Sequence, residues 1–285
     1  MNKEFKSETK INNVYLHFIH AILDEDAYDA IKKSDFLKNE FCNGEEKTHS
    51  STNTSWTGFY LTGENIYIQL FSHKDIKNLQ EMGVGNIGIE FMVDRKEEIE
   101  EITKLFKQKL THKITHGIFE KNIDNTLIPW FYYIENLSLL PEVDSMILAY
   151  HQDYLTFKDK KISNQDAITR KEYNEKYNAI PFDKTKLFKD VEEVTLSLNA
   201  ANKRKFIEQQ TLLEHTCEEE KDYTICRGPG IIFKIKPSQD ESCKLLKLQM
   251  SLNYEINNLQ IYKLGNSTIE LEHKTAIWTF NEENK

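Results

Sequence analysis

VYLHFIHAILD, residues 14 to 24, is the stretch on which the reading of this chain turns. It is rich in branched and aromatic residues, has no Gly or Pro, and ends on a helix-capping aspartate. That predicts a buried strand running straight into a helix. Side chains alternate between the faces of a strand. Val14, Leu16, Phe18, His20 and Ile22 then share one face, and Tyr15, His17, Ile19, Ala21 and Leu23 the other. The first face is the more uniformly aliphatic and is expected to lie under a helix. His17 then looks into whatever the second face encloses, and His20 is expected on the helix side in a structural role. Asp24 is placed to cap a helix with Glu25 and Asp26 in its first turn, where the helix dipole favours them. Ala27, Tyr28 and Ile31 continue it, and a further turn capped by Ser34 or Asp35 carries Phe36, Leu37 and Phe41.

The same order returns downstream. SWTGFYL (55–61) and NIYIQLF (65–71) flank turn chemistry at Gly63 to Asn65 and predict a hairpin. Ile66, Ile68 and Leu70 form its aliphatic face. Tyr67, Gln69 and Phe71, with Trp56 and Tyr60 of the partner strand, form the opposite face, an aromatic wall shared with His17. In residues 87–94, Ile87, Ile89, Phe91 and Val93 alternate with Gly88, Glu90 and Met92. Glu90 is thereby a buried carboxylate, which needs a metal, a cation or a raised pKa. Asp94 with Glu97 predicts a capping-box start to a helix carrying Ile99, Ile102, Leu105, Phe106 and Leu110. Strands are expected at 113–120, 127–134 and 146–157.

Strand, cap, helix and strands thus occur twice in residues 11–157, an internal repeat. Residues 158–186 read as a polar linker or covering segment with a helix near 169–177. The order restarts in 187–285: a strand at 191–198, a helix capped by Asn199, a short strand at 231–235, a helix at 240–252, and a hairpin at 259–280 around Gly265-Asn266. Thr195 and Ser197 stand where His17 would, so this third, incomplete unit is expected to support the first two, burying Ile231, Phe233, Ile277 and Trp278.

The 285 residues, 39% hydrophobic and 29% charged, suffice for a sizeable core. A net charge of −9 disfavours nucleic acid or an anionic membrane as partner. No apolar run approaches the roughly 20 residues that span a bilayer. The opening MNKEFKSETK lacks the apolar core of a signal peptide, so a cytoplasmic location is expected. Cys42, Cys217, Cys226 and Cys243 show no CxxC or finger spacing; reduced thiols are expected, with a Cys217–Cys226 bridge as the alternative. GVGNIG (83–88) precedes a strand rather than following one, so it is no phosphate loop, and no GxSxG elbow occurs.

The repeat resembles the βαβββ unit of the vicinal oxygen chelate superfamily of glyoxalases, bleomycin-resistance proteins and extradiol dioxygenases, and most of all an uncharacterised glyoxalase-like bacterial family within it. The matching stretches are His17 with Asp24, IYIQLF (66–71), and Asn86 to Asp94. The resemblance covers the first 157 residues well and the remainder loosely. It implies an α+β fold of paired βαβββ modules forming a cupped mixed sheet around one pocket. It further implies a divalent metal held at four positions. His17 falls on the first and Gln69 on the second, where glutamate is usual. Gly88 falls on the third, leaving Glu90 two residues on as the nearby donor. The fourth lies among Tyr150, His151 and Asp153. Zn, Fe, Ni and Mn all suit such donors. One function that follows is a metal-assisted isomerase, lyase or dioxygenase acting on a small oxygenated molecule, with Glu90 moving a proton. The others are a metal-free small-molecule binder walled by Trp56, Tyr60, Tyr67 and Phe71, and an interaction protein whose pocket is filled by its own side chains.

Overall fold

A computed structural model describes residues 14–52, 54–74, 82–110, 113–160, 167–238 and 242–280. The opening decapeptide and the expected helix start at Asp240 lie outside these. The predicted first strand is β1 (Tyr15–Leu23), and α1 (Glu25–Lys33) follows it. Asp24 caps α1 through its Oδ1, which accepts from the Ala27 amide at 2.8 Å, and a π-helical turn (Phe36–Phe41) continues it. Then come β2 (Glu45–Ser50), β3 (Ser55–Thr62) and β4 (Tyr67–Ser72). The second unit repeats the order: β5 (Ile87–Met92), α2 (Lys96–Lys109), β6 (Ile114–Ile123), β7 (Thr126–Asn136) and β8 (Val143–Tyr150).

The eight strands form one curled sheet in the order β2-β3-β4-β1-β5-β8-β7-β6. Each opening strand runs parallel to its own module's last strand, and β1 and β5 meet antiparallel at the centre. The curl brings the two edge regions face to face. Trp56 lies nearly parallel to Trp130 at 6.5 Å and edge-on to Phe119 at 6.2 Å.

Two short helices follow, α3 (Gln152–Lys158) and α4 (Arg170–Lys176). Tyr173 of α4 stacks on Tyr150 at 3.8 Å, Asn174 Nδ2 donates to the Gly63 carbonyl at 3.0 Å, and Arg170 donates to the Leu16 carbonyl. The third unit comprises β9 (Phe188–Leu198), α5 (Ala200–Leu212), β10 (Thr216–Glu219), β11 (Thr224–Gly228) and β12 (Ile231–Pro237). It is a complete βαβββ module. What is missing is its partner, replaced by the long hairpin β13 (Lys244–Leu264) and β14 (Ser267–Thr279). The second sheet runs β10-β11-β12-β9-β13-β14.

One continuous core joins the two sheets. Leu16, Ile19 and Ala21 of β1 and Ile89 and Phe91 of β5 pack with Val194, Phe233 and Leu248 of the second sheet. Buried polar contacts cross the same junction: Asn136 Nδ2 donates to Gln209 Oε1 at 2.8 Å, and Gln209 Nε2 donates to Ser145 Oγ at 2.7 Å. The β13–β14 turn is tied to the start of α1, where Asn266 Nδ2 donates to Asp24 Oδ2 at 2.9 Å. Gly265 there has φ +63, and a Cβ would come within 2.8 Å of Ala27 Cα.

Several expectations are corrected. Residues 45–50, where the sequence reading places no element, are a strand. The expected strand 146–157 ends at Tyr150, and His151 caps α3 by accepting from the Asp153 amide at 3.1 Å. The α2 box closes one residue later than expected, with the Arg95 amide donating to Glu98 Oε2 at 3.0 Å. Residues 244–252 are strand rather than helix. A register shift between Leu245 and Lys247 spaces Leu245 and Leu248 as a helix would. Ile231, Phe233 and Trp278 are buried, but Ile277, adjacent to Trp278 in a strand, turns the other way and is only partly so. Cys217 and Cys226, opposite each other on β10 and β11, are disulfide-bonded, whereas Cys42 and Cys243 are buried thiols outside any disulfide. No helix among the described residues is long and apolar enough to cross a membrane.

Candidate metal centre and its cavity

The concave face of the curled sheet encloses a cavity of about 500 Å³. Tyr67, Gln69 and Phe71 line it from β4, Trp56 and Tyr60 from β3, and Glu90 from β5. Alternation therefore holds for those strands. It fails in β1, where a bulge sits between Leu16 and Phe18: Leu16 pairs with Phe91 and Phe18 with Glu90, leaving His17 as the extra residue. A bulge sets two residues against one, so the facing reverses beyond it. Ile19 and Ala21 enter the core between the sheets, and His20, expected under a helix, lines the cavity.

His17 is fully buried in an aromatic cage rather than lining that cavity. Its Nε2 hydrogen-bonds the Tyr150 hydroxyl at 2.9 Å. Tyr67 and Tyr173 stand edge-on to its ring at 5.0 and 5.5 Å. Burial, then the nearby Arg170 charge, pushes its pKa down to about 3, so it is a neutral imidazole. His151 sits at the head of α3, 3.7 Å from Asp153. Among the described residues, neither joins a cluster of three or more donors.

The cluster that does form is His20, Glu90 and Asp144, whose potential ligand atoms lie within 4.8 Å of one another. Strand register explains it. His20 on β1 pairs with Gln69 on β4 and Gly88 on β5, and Gly88 pairs with Asp144 on β8. Four central strands thus present one row of side chains, with Glu90 two residues along. Gly88 supplies the room, since a Cβ there would lie 2.0 Å from His20 Cε1 and 2.3 Å from Glu90 Oε1.

The electrostatics are those of a site short of a charge. His20 Nδ1 lies 3.1 Å from Glu90 Oε1. Yet His20 Nε2, both Glu90 oxygens and Asp144 Oδ1 are buried without a properly aligned hydrogen-bond partner among the described residues. Burial holds the His20 pKa down and the Glu90 pKa well up. Burial, then the Glu90 charge, raises Asp144 to about 7. Burial thus works against the charged form of each of the three. One imidazole and two carboxylates, orphaned and convergent, fit a divalent cation, which would supply the missing positive charge.

Sequence alternation missed His20 because of the bulge. Asp144 was missed because the strand was begun at Met146, although Asp144, Met146, Leu148 and Tyr150 follow the same alternation. His49, which also lines the cavity, was missed because β2 is polar on both faces.

Over residues 15–280 the sequence matches the model of a family described as "Family of unknown function (DUF5829)". A search of curated proteins finds no match. Among solved structures, the chain is similar to a hypothetical protein from Staphylococcus aureus, at 12% identity and a TM-score of 0.55, covering 91% of this chain and 98% of that one. That likeness shows the fold alone. Catechol 2,3-dioxygenase matches at 9% identity and a TM-score of 0.47, covering 91% and 83%. A mutant 4-hydroxymandelate synthase from Streptomyces coelicolor matches at 7% and 0.42, covering 80% and 64%. In this chain β1 to β8 form two βαβββ units within one curled sheet. The chain belongs to the DUF5829 family.

Proposed function

We propose that this member of the DUF5829 family holds a divalent ion on His20, Glu90 and Asp144 and acts there on a small oxygenated molecule, as an isomerase, lyase or dioxygenase. The carrying observation is the convergence of three buried donors, orphaned in the protein alone, around the space left by Gly88. Gln69, in register with His20, stands ready with an amide oxygen. Such an oxygen-rich set favours manganese or iron(II) over zinc or nickel. A bound ion would polarise an oxygen of the ligand. The aromatic walls exclude water from around that oxygen and orient the ligand. Glu135, which lines the same cavity and whose pKa burial raises, is placed to exchange a proton outside the cluster, leaving Glu90 to hold the ion. The Cys217–Cys226 bridge suits an oxidising compartment and weighs against the cytoplasmic expectation.

A second reading, metal-free binding of an aromatic ligand, is favoured by the same aromatic walls. Elemental analysis of untagged protein, with titration of manganese and anaerobic iron(II) into EDTA-treated protein, separates the two. One ion per chain in the wild type, lost in Asp144→Ala, supports the metal reading. No ion in either, with an apolar ligand still bound, leaves the binder.

A further inference from the structure

Lys121, near the end of β6, lines the cavity, and its Nζ lies 4.1 Å from the centroid of the Trp130 ring and 5.7 Å from that of Tyr154. Among the described residues no carboxylate pairs with it. Its charged neighbour is instead another cation, Lys158 at the end of α3, and the two repel: burial and then Lys158 lower the Lys121 pKa to about 8. A half-buried ammonium without a counter-ion, held next to a like charge, is costly unless something negative completes the site. The surroundings are flat and aromatic. Trp56 and Trp130 lie nearly parallel, and His49 is within 6.0 Å of both rings. His49 brings no competing charge of its own near neutrality, because burial pushes its pKa down to about 3.

We infer that Lys121 and the Trp56–Trp130 walls form a recognition subsite for the anionic group of a planar aromatic ligand, a carboxylate or a phosphate, in the same cavity as the His20–Glu90–Asp144 cluster. The inference deepens the proposed function by naming the class of molecule. It rests on that reading only for the ligand's being a substrate. The lysine supplies the charge, and the rings supply flat apolar area on which a planar group stacks.

The test uses EDTA-treated full-length protein, so that its outcome does not depend on the ion. 2-Naphthoate, 2-naphthyl phosphate and the neutral 2-naphthamide are titrated, with quenching of tryptophan emission and calorimetry as readouts. Two of the three tryptophans, Trp56 and Trp130, line the cavity, whereas Trp278 is buried in the second sheet. The expected result is at least tenfold tighter binding of an anion than of the amide. Lys121→Met, which keeps the apolar stem, should abolish that preference, and Lys121→Arg should retain it. Which anion binds better identifies the group. Equal binding of anion and amide, no binding of either anion, or a preference unchanged in a folded Lys121→Met protein would overturn the inference. Metal bound with no anion preference would refute the subsite and leave the metal centre standing. Lys121-dependent anion binding without metal would do the reverse.

Discussion

Replacing Gly88 with alanine tests the metal centre without removing any donor. The new Cβ would lie 2.0 Å from His20 Cε1, 2.2 Å from His20 Nδ1 and 2.3 Å from Glu90 Oε1, so both side chains must move. Neither has slack. His20 is 8% exposed and Glu90 0%, and the Phe71 ring stands edge-on to the imidazole at 5.7 Å. Forcing one carbon into such a site costs about 1–3 kcal/mol. In a chain of this size that lowers Tm by roughly 2–4 °C per kcal/mol. The larger effect should fall on the ion. If the proposed centre binds manganese, the ion at about 100 times its Kd would stabilise the wild type by about 2.7 kcal/mol. With His20 and Glu90 splayed, that increment should vanish. Thermal unfolding of EDTA-treated wild type and Gly88→Ala, each with and without manganese, reads both terms. A variant with an unchanged Tm and the wild-type manganese increment would refute the reasoning, since His20 would then have room that the geometry denies it.

Three further outcomes are expected. His215 packs edge-on to Phe91 at 6.0 Å between the sheets, and burial lowers its pKa to about 4. The unfolded chain therefore binds a proton that the folded chain refuses as pH falls from 6.5 to 4. Stability should drop across that window by up to about 3 kcal/mol, at 1.36 kcal/mol per pH unit. His215→Leu should remove that part of the slope, and parallel wild-type and variant urea midpoints across the window would count against it. Asp24→Ala loses both the α1 cap and the tie to Asn266 and should lower stability by about 1–2 kcal/mol in urea titration. Asp24→Asn, which can still cap, should lose less; equal losses would show that the cap contributes nothing. Denatured but unreduced protein should expose two reactive thiols, Cys42 and Cys243. Four would mean that Cys217 and Cys226 are not bridged.

Most of the fold was legible because local chemistry and tertiary structure agree. Asp24 and Asn199 both cap the helices that their positions imply, with side-chain acceptors 2.8 Å from the Ala27 and Asn202 amides. Uninterrupted alternation in β3, β4 and β5 correctly placed Trp56, Tyr60, Tyr67, Phe71, Gln69 and Glu90 on the concave side. Both large misreadings trace to one cause. The bulge at His17 reversed the facing of everything after it in β1, bringing His20 to the cavity while His17 stays on that side among Tyr67, Tyr150 and Tyr173. The irregularity after Leu245 gave β13 the spacing of a helix. An extra residue leaves no compositional mark on a strand; it is set by the partner strand, which a periodicity count does not include. Asp144 was lost differently, through a strand boundary set three residues late, since β8 begins at Val143. With Glu142 and Ser145 about it, Asp144 read as part of a polar connection ahead of the apolar run from Met146.

The curl of the first sheet also settles what becomes of its open backbone. An edge strand offers unpaired amides and carbonyls to any other strand that drifts past, and proteins commonly guard it with charge, bulges or cover. Here β2 and β6, the two edges, are turned toward each other, and Trp56, Phe119 and Trp130 pack together across the concave side between them. In the second sheet one edge is β10, four residues long, acidic at its end and stapled to its neighbour. That leaves β14, thirteen residues long, beside a β13 arm that exposes Leu259 and Ile261. Colloidal misbehaviour of this chain at high concentration should therefore begin at β14. A lysine at an outward position of that strand, such as Thr275→Lys, is the place to guard it, away from the cavity.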